Sequence, residues 1–233
     1  MMPSPALDVH RSSGSAAPVA DLGTLPRGPH KLSREDVIHS QRSRLMRAMA
    51  EAMAERGYVH TTVADVLRRA RVSRETFYQQ FSSKQNCFIA VYEQSAGMIL
   101  ANLEQEAAAP GTSLERFDRA IGAYLDALAA EPAFARLFMV EVYSAGAEAL
   151  ERRAEIQQRF TQLMIQVAGA RGPRERFACE MLVAAITTLV TMRLAVNDVG
   201  GVKALRAPLT GLVREALSGI EVHKTQGTCS DRA

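Results

Sequence analysis

The chain has 233 residues, 47% of them hydrophobic and 23% charged, with a net charge of +3. That is ordinary globular material, long enough for one or two domains with a sizeable core. Three widely spaced cysteines (Cys87, Cys179, Cys229) fit neither a disulfide framework nor a clustered zinc site and suit a reducing cytoplasm. The five histidines never recur at i, i+3 or i+4, so no metal pair can be read off a helix face. The opening Met1-Met2-Pro3-Ser4-Pro5 has no signal-peptide character. The longest uncharged stretch in an apolar segment, Met181 to Met192, is twelve residues, too short for a bilayer. These features lead us to expect a cytoplasmic protein without metal, cofactor or membrane partner.

The charge is unevenly spread. Residues 27–84 carry twelve Lys or Arg against six Asp or Glu, a local +6, while residues 1–26 carry −1 and residues 85–233 carry −2. A basic block on a slightly acidic body suits either contact with a polyanion or a well-solvated helical surface, and charge alone leaves both open.

In chain order, residues 1–26 are rich in Pro, Ser, Ala and Gly and read as a disordered tail, followed by a short basic arm with Arg27 and Lys31. Ser33-Arg-Glu-Asp36 has capping-box spacing, and Leu45, Ala48, Met49, Ala52 and Met53 recur on one helical face, so a helix runs from near Arg34 to Arg56 before Gly57. Thr62 caps a two-turn helix with Asp65 at its third position. After Arg71 and Val72, Ser73 caps a second short helix over Arg74 to Gln80 with Phe77 turned inward. Ser83 starts a longer helix through Phe88, Val91, Tyr92 and Ile99. Two short helices across a tight turn inside a basic block form a helix-turn-helix candidate; a generic helical hairpin is the alternative.

Beyond Pro110 every segment has helical period. One face runs through Phe117, Ile121, Tyr124 and Leu128, and a shorter helix from Phe134 ends near Gly146. A third pattern spans Ile156 to Val167. Phe177 to Val196 is apolar almost all round, so burial on most sides is expected, with a break at Gly200-Gly201 and a last helix from Pro208 through Ile220. With no period-two run, the fold class is all-α: a three-helix helix-turn-helix head plus a larger helical body. The expected divisions are a tail over 1–26, a DNA-binding domain over 27–84 with its motif at about 62–81, and a ligand-binding and dimerisation domain over 85–233.

Thr61-Thr-Val-Ala-Asp-Val66, Val72-Ser-Arg-Glu-Thr-Phe-Tyr78, Phe81 and Ser83-Lys84, in that order, resemble the N-terminal module of TetR/AcrR-family transcriptional regulators. The match covers roughly Arg34 to Glu93. The resemblance implies a homodimer that binds double-stranded DNA, with a small-molecule pocket in the body and the last two long helices paired across the dimer axis. Many relatives have Gly where this chain has Arg71; if the position needs a positive φ, arginine is strained there, or it adds a phosphate contact.

In such a head the Arg74–Gln80 helix lies in the major groove. Arg74 either pairs with guanine or clamps a phosphate, and Gln79 either reads adenine or is simply exposed. Glu75 and Thr76 are edge or backbone neighbours. By resemblance Tyr78 contacts phosphate through its hydroxyl and Lys84 reaches the DNA backbone. Thr62 and Ser73 are caps first, able also to hold a phosphate beside exposed amides. In the body, Tyr124, Phe138, Met139, Tyr143, Phe160, Met164, Met181 and Arg193 are candidate ligand contacts, because they are large or polar on mostly apolar helices; plain core packing is the competing reading. Arg193 would meet an anionic ligand, a carboxylate such as Glu141 or Glu180, or solvent.

The function this implies is a ligand-responsive repressor that binds a pseudo-palindromic operator as a dimer and is released by a small apolar effector. A regulator, activating or repressing, controlled by a protein partner or lacking an effector is the alternative. An enzyme is not expected: the chain lacks a G-x-S-x-G elbow, an H-E-x-x-H helix and a P-loop, and Glu104 and Glu106 at i, i+2 point to different faces.

Overall fold

A computed structural model describes the backbone of residues 33–227 and the side chains of residues 33–216. The expected tail over 1–26 and the arm residues Arg27 and Lys31 lie outside the described residues. Within them the chain forms ten α-helices: α1 (Arg34–His60), α2 (Val63–Ala70), α3 (Arg74–Gln80), α4 (Lys84–Ala108), α5 (Ser113–Ala130), α6 (Pro132–Met139), α7 (Ala147–Ala168), α8 (Pro173–Ala195), α9 (Val199–Ala204) and α10 (Arg206–Gly227). A single 3-10 turn, Glu141–Ser144, joins α6 to α7, and no strand occurs among the described residues. The all-α expectation holds.

Side-chain caps set the helix starts. Reciprocal capping boxes close α1 (Ser33 with Asp36), α2 (Thr62 with Asp65) and α5 (Thr112 with Glu115). Ser73 and Ser83 accept from the backbone N–H of Thr76 and Asn86 to start α3 and α4. Each cap satisfies amides that a helix start otherwise leaves open and contributes about 1 kcal/mol. Gly57, at φ 74 and ψ 169, interrupts α1 where the sequence puts its end, and residues 58–60 add one further turn. Arg71 ends α2 at φ 52 and ψ 50, so the turn between α2 and α3 is left-handed at a residue with a Cβ.

Three local expectations are corrected. The helix after Pro132 ends at Met139, not near Gly146, because the backbone tightens into the 3-10 turn. Gly200-Gly201 does not simply break the chain but sits inside α9. The Asp198 carboxylate folds back to accept from Gly201 N–H at 2.7 Å, and a Cβ on Gly201 would collide with that carboxylate. The segment Phe177 to Val196 is not buried on most sides. Cys179, Val183, Ile186, Val190 and Leu194 make its inner face, while Phe177, Met181, Met192 and Val196 are exposed on the opposite one. At 100° per residue the two sets fall on separate sides of α8. By length and composition α8 is also apolar enough to cross a membrane, although its inner face is packed against the body.

Two apolar cores organise the packing. The first joins α1–α4 to α6, the 3-10 turn and α7, around Phe77, Phe81, Phe88, Leu137 and Val142. The second lies among α5, α7, α8, α9 and α10, around Phe117, Leu125, Val190 and Leu194. Burying each such aromatic side chain stabilises the fold by roughly 2–3 kcal/mol. α4 runs unbroken from the first core to the second, contributing Phe88 to one and Ile99 to the edge of the other. Asp118 of α5 ties α10 down by accepting from Arg206 at 2.7 and 3.2 Å and from the Thr210 hydroxyl at 2.8 Å.

A left-handed non-glycine residue costs about 1–2 kcal/mol, part of which glycine returns through its freer unfolded chain. Arg71→Gly should therefore raise the unfolding free energy by about 0.5–1 kcal/mol in urea titration; a loss of stability would mean that the Arg71 side chain contributes more than its backbone strain.

Candidate functional site

The residues expected to meet DNA gather at one end of the head. On α3, Arg74, Glu75, Tyr78 and Gln79 are exposed while Phe77 is fully buried, so the helix presents one polar face and anchors itself by the other. Tyr78 is 50% exposed and meets Phe77 edge to face at 5.3 Å, which aims its ring without burying its hydroxyl. Arg74 makes no intramolecular hydrogen bond or ion pair among the described residues, and neither does the Arg71 side chain beside it. The other positions are partly engaged. Gln79 donates to Glu75 at 3.3 Å, and the hydroxyls of Ser73 and Thr76 lie 2.9 Å apart. The Thr62 hydroxyl donates to Asp65 at 2.6 Å while accepting from its backbone N–H at 3.2 Å.

Asp65 is the electrostatic fastener of this motif. Its carboxylate accepts from the Thr62 hydroxyl and backbone N–H, from Arg68 at 2.7 Å and from Arg56 of α1 at 3.4 Å. The Thr62 hydrogen bonds, aided by the two arginines, hold its pKa down at about 2.

Lys84 is placed differently from the expectation. Its ammonium donates to the carbonyls of Tyr58 and Thr61, both at 2.9 Å, and stands 4.0 Å from the centre of the Tyr58 ring. Burial there pushes its pKa down. Lys84 is thus turned inward onto the end of α1, where the Tyr58 and Thr61 carbonyls after Gly57 are within its reach. At the same residue, Glu141 of the 3-10 turn accepts from Tyr58 N–H at 2.9 Å. The Gly57–Thr61 turn is therefore held by α4 and by the α6–α7 connection together.

The body holds a cavity of about 780 Å³, its open mouth included, walled by α4, α5, α7 and α8. Tyr124, Met139, Phe160 and Met164 line it, as the sequence suggested. Phe138 lines a smaller space of about 250 Å³ between α4, α5 and α6 instead. Tyr143 is 53% exposed and covers Arg153 from outside at 5.0 Å. Met181, 56% exposed, belongs to the outer face of α8, since its position on the helix lies opposite the inward set. Arg193 neither lines the cavity nor pairs with Glu141 or Glu180; it donates to the Leu189 carbonyl of its own helix at 3.2 Å. The sequence reading missed Tyr92, Arg153, Gln157 and Thr187 on the cavity wall. Two of them were within reach, because 153 and 157 share the helical face of Ile156 and Phe160. Among the described residues no group of His, Cys, Asp and Glu could hold a metal ion.

The described chain thus has a helix-turn-helix head with an open polar face, joined by the long helix α4 to a helical body with an apolar cavity. Residues 45–91 match the family model for bacterial regulatory proteins of the tetR family. The chain is 22% identical over 117 residues to the fatty acid metabolism regulator protein of Bacillus subtilis strain 168, half of this chain and 60% of that one. It is 26% identical over 101 residues to the HTH-type transcriptional activator FasR of Mycolicibacterium smegmatis, 43% of this chain and 46% of that one. The matched stretch thus spans about half the length of these curated relatives. Among solved structures, FadR from Bacillus subtilis in complex with stearoyl-CoA superposes with a TM-score of 0.64 at 20% identity, covering 72% of this chain and 95% of that one. The fatty acid degradation regulator FadR from Bacillus halodurans does so equally at 18% identity. Residues 45–91 thus resemble the head of bacterial regulatory proteins of the tetR family, and the described chain shares the fold of these solved structures.

The depressed pKa of Asp65 has a defined consequence for acid stability. Its contribution is complete above the ordinary carboxylate range near 3.8 and fades as pH falls towards about 2. Asp65→Asn should remove that part of the acid dependence, so that urea midpoints of variant and parent, well separated at pH 6, converge by pH 2; a constant gap would show that the carboxylate charge is not what holds the motif.

Proposed function

We propose that the protein is a ligand-responsive transcriptional repressor whose two heads, in a homodimer, bind successive major grooves of a pseudo-palindromic operator. The observation that carries this reading is the pairing of an exposed polar face on α3, with Arg74 free of any intramolecular partner, with an apolar cavity one helix away along α4. The head, over about 27–84, reads DNA through α3: Arg74 by a base or phosphate contact, Tyr78 through its hydroxyl, and Gln79, Glu75 and Thr76 beside them. Thr62 and Ser73 act as caps whose helix starts face the phosphates.

Dimerisation is supported by the exposed outer face of α8, with Phe177, Met181, Met192 and Val196; Leu212 of α10 is exposed as well. Apolar surface of that kind along a long helix suits a second copy. The relatives are transcription regulators, and nothing in the cavity suggests catalysis, so an enzymatic role is not proposed. The cavity is lined chiefly by Leu, Ile, Phe, Met and Val side chains, which favours an effector with an apolar chain. Stearoyl-CoA in the Bacillus subtilis FadR complex is an occupant of the same general class. A cavity that the body's own side chains leave open also favours this reading over control by a protein partner alone.

Effector binding acts on the head through the Gly57–Thr61 turn. Tyr92 lines the cavity and packs on Phe88, which meets Tyr58 at 5.4 Å, so an occupant that moves α4 or the α6–α7 connection shifts the groups that hold Tyr58. To release DNA the effector must bind the non-fitting head spacing more tightly, by about 1–3 kcal/mol.

The test is binding to the DNA upstream of the protein's own gene, followed by fluorescence anisotropy over a salt series. Affinity should fall steeply with salt as phosphate contacts release counterions. The Arg74→Ala, Tyr78→Ala double variant should bind about 100-fold more weakly, a loss of about 3 kcal/mol. Flat salt dependence, or full affinity in the double variant, would contradict the reading.

A further inference from the structure

Arg152 and Arg153 are neighbours on α7 with opposite surroundings. Arg152 points outward into ion pairs with Glu93 at 2.8 Å and Glu155 at 2.5 Å. Arg153 lies on the cavity wall, where its guanidinium donates only to Gln157 Oε1 at 3.3 Å and is covered by the Tyr143 ring. No carboxylate of the described residues stands within ion-pair distance of it. A guanidinium has five N–H donors in a planar fork, so most of the donor capacity of this half-buried group is left unspent by the protein, on a wall whose other residues are mostly apolar.

Two phenols share the same wall. Tyr92 is buried and Tyr124 packs its ring on Phe160 at 6.0 Å, and neither hydroxyl has a hydrogen-bond partner among the described residues. Both feel the charge of Arg153, and enclosure nevertheless pushes both pKa values up, that of Tyr92 to about 12. At neutral pH both phenols keep their protons and offer O–H donors. Gln157 and Thr187 add little that competes, since the Thr187 hydroxyl is already spent on the Val183 carbonyl at 2.8 Å. The polar part of the cavity is thus rich in donors and poor in acceptors. Buried polar groups of one kind call for a ligand of the complementary kind, and the group that accepts several hydrogen bonds and carries a single negative charge is a carboxylate.

We propose that Arg153, Tyr92 and Tyr124 form a seat for the free carboxylate of an apolar-chain acid, with the chain lying among Phe117, Ile121, Leu163 and Val183. This rests on the cavity being the effector site and adds to it the chemistry of the ligand's polar end. A neutral head group leaves the guanidinium charge unanswered, and a thioester offers a weaker acceptor without charge.

Isothermal titration calorimetry at neutral pH with dodecanoate, 1-dodecanol and dodecanoyl-CoA separates these cases. The full-length protein should bind dodecanoate about tenfold or more tightly than the alcohol, as expected for a charge-assisted pair. Arg153→Met, which keeps the apolar stem, should bring the acid down to the alcohol's affinity while leaving the alcohol unchanged, and retained alcohol binding certifies a folded cavity. Tyr124→Phe, which keeps the ring against Phe160, should weaken the acid alone by a few-fold. Equal binding of acid and alcohol, a preference that survives Arg153→Met, or a tighter thioester would overturn the carboxylate seat while leaving the effector cavity standing. If none of the three binds, the reading of the cavity as an effector site falls as well, and the proposal with it.

Discussion

The backbone of Tyr58 is gripped at both its N–H and its carbonyl by charged side chains from distant parts of the chain. Glu141 takes the N–H and Lys84 the carbonyl, and Lys84 takes the Thr61 carbonyl too. Gly57 makes the grip possible, because its positive φ turns the backbone out of α1 at a point where a Cβ would come within 3.0 Å of the Glu141 carboxylate. Backbone groups left without partners at a half-buried helix end are costly, and here Glu141 and Lys84 supply partners beside the Thr61 N–H, which also reaches the Tyr58 carbonyl. The orientation of α1 and α2 relative to α4 and to the α6–α7 connection follows from it. Head and body share one apolar core here and are not two beads on a string.

From that joint outward, the arrangement divides labour between rigid and open surfaces. The motif itself is stiff: Asp65 ties α2 to α1, Arg42 donates to the Gln80 carbonyl at 3.0 Å and stacks over Phe81, and Phe77 fills the head core. A recognition helix seven residues long has little stability of its own, so its exposed face is held in place by these contacts rather than by its own helicity. The body is looser where it matters, with a cavity between α4, α5, α7 and α8 and an outer apolar face on α8. In the proposed repressor the first takes the effector and the second takes the other subunit, so both open surfaces of the body adjoin α8.

Much of the head was legible in the sequence because caps and short-range periodicity encode it. Ser33, Thr62, Ser73 and Ser83 are cap residues that mark four helix starts, and α3 runs from Arg74 to Gln80 with Phe77 inward, as read from the sequence. The body was legible as helices but not as a site. Residues such as Met181 and Tyr124 are chemically alike as candidates, and only the rotation of each helix against its neighbours decides that one faces solvent and the other the cavity. Lys84 and Glu141 were opaque for a related reason: their partners are backbone groups 26 and 83 residues away in sequence, and no side-chain pattern marks an unpaired carbonyl or N–H. Arg153 hid beside Arg152, in what reads as a solvated pair until the fold turns one inward.

The central claim is that occupancy of the cavity is felt at the Gly57–Thr61 turn. Amide hydrogen exchange of the full chain, with and without a saturating apolar-chain acid, tests it most directly. The account predicts changed protection in peptides covering residues 57–62 as well as on the cavity walls of α5, α7 and α8. Protection altered on those walls alone, with residues 57–62 unmoved, would contradict it.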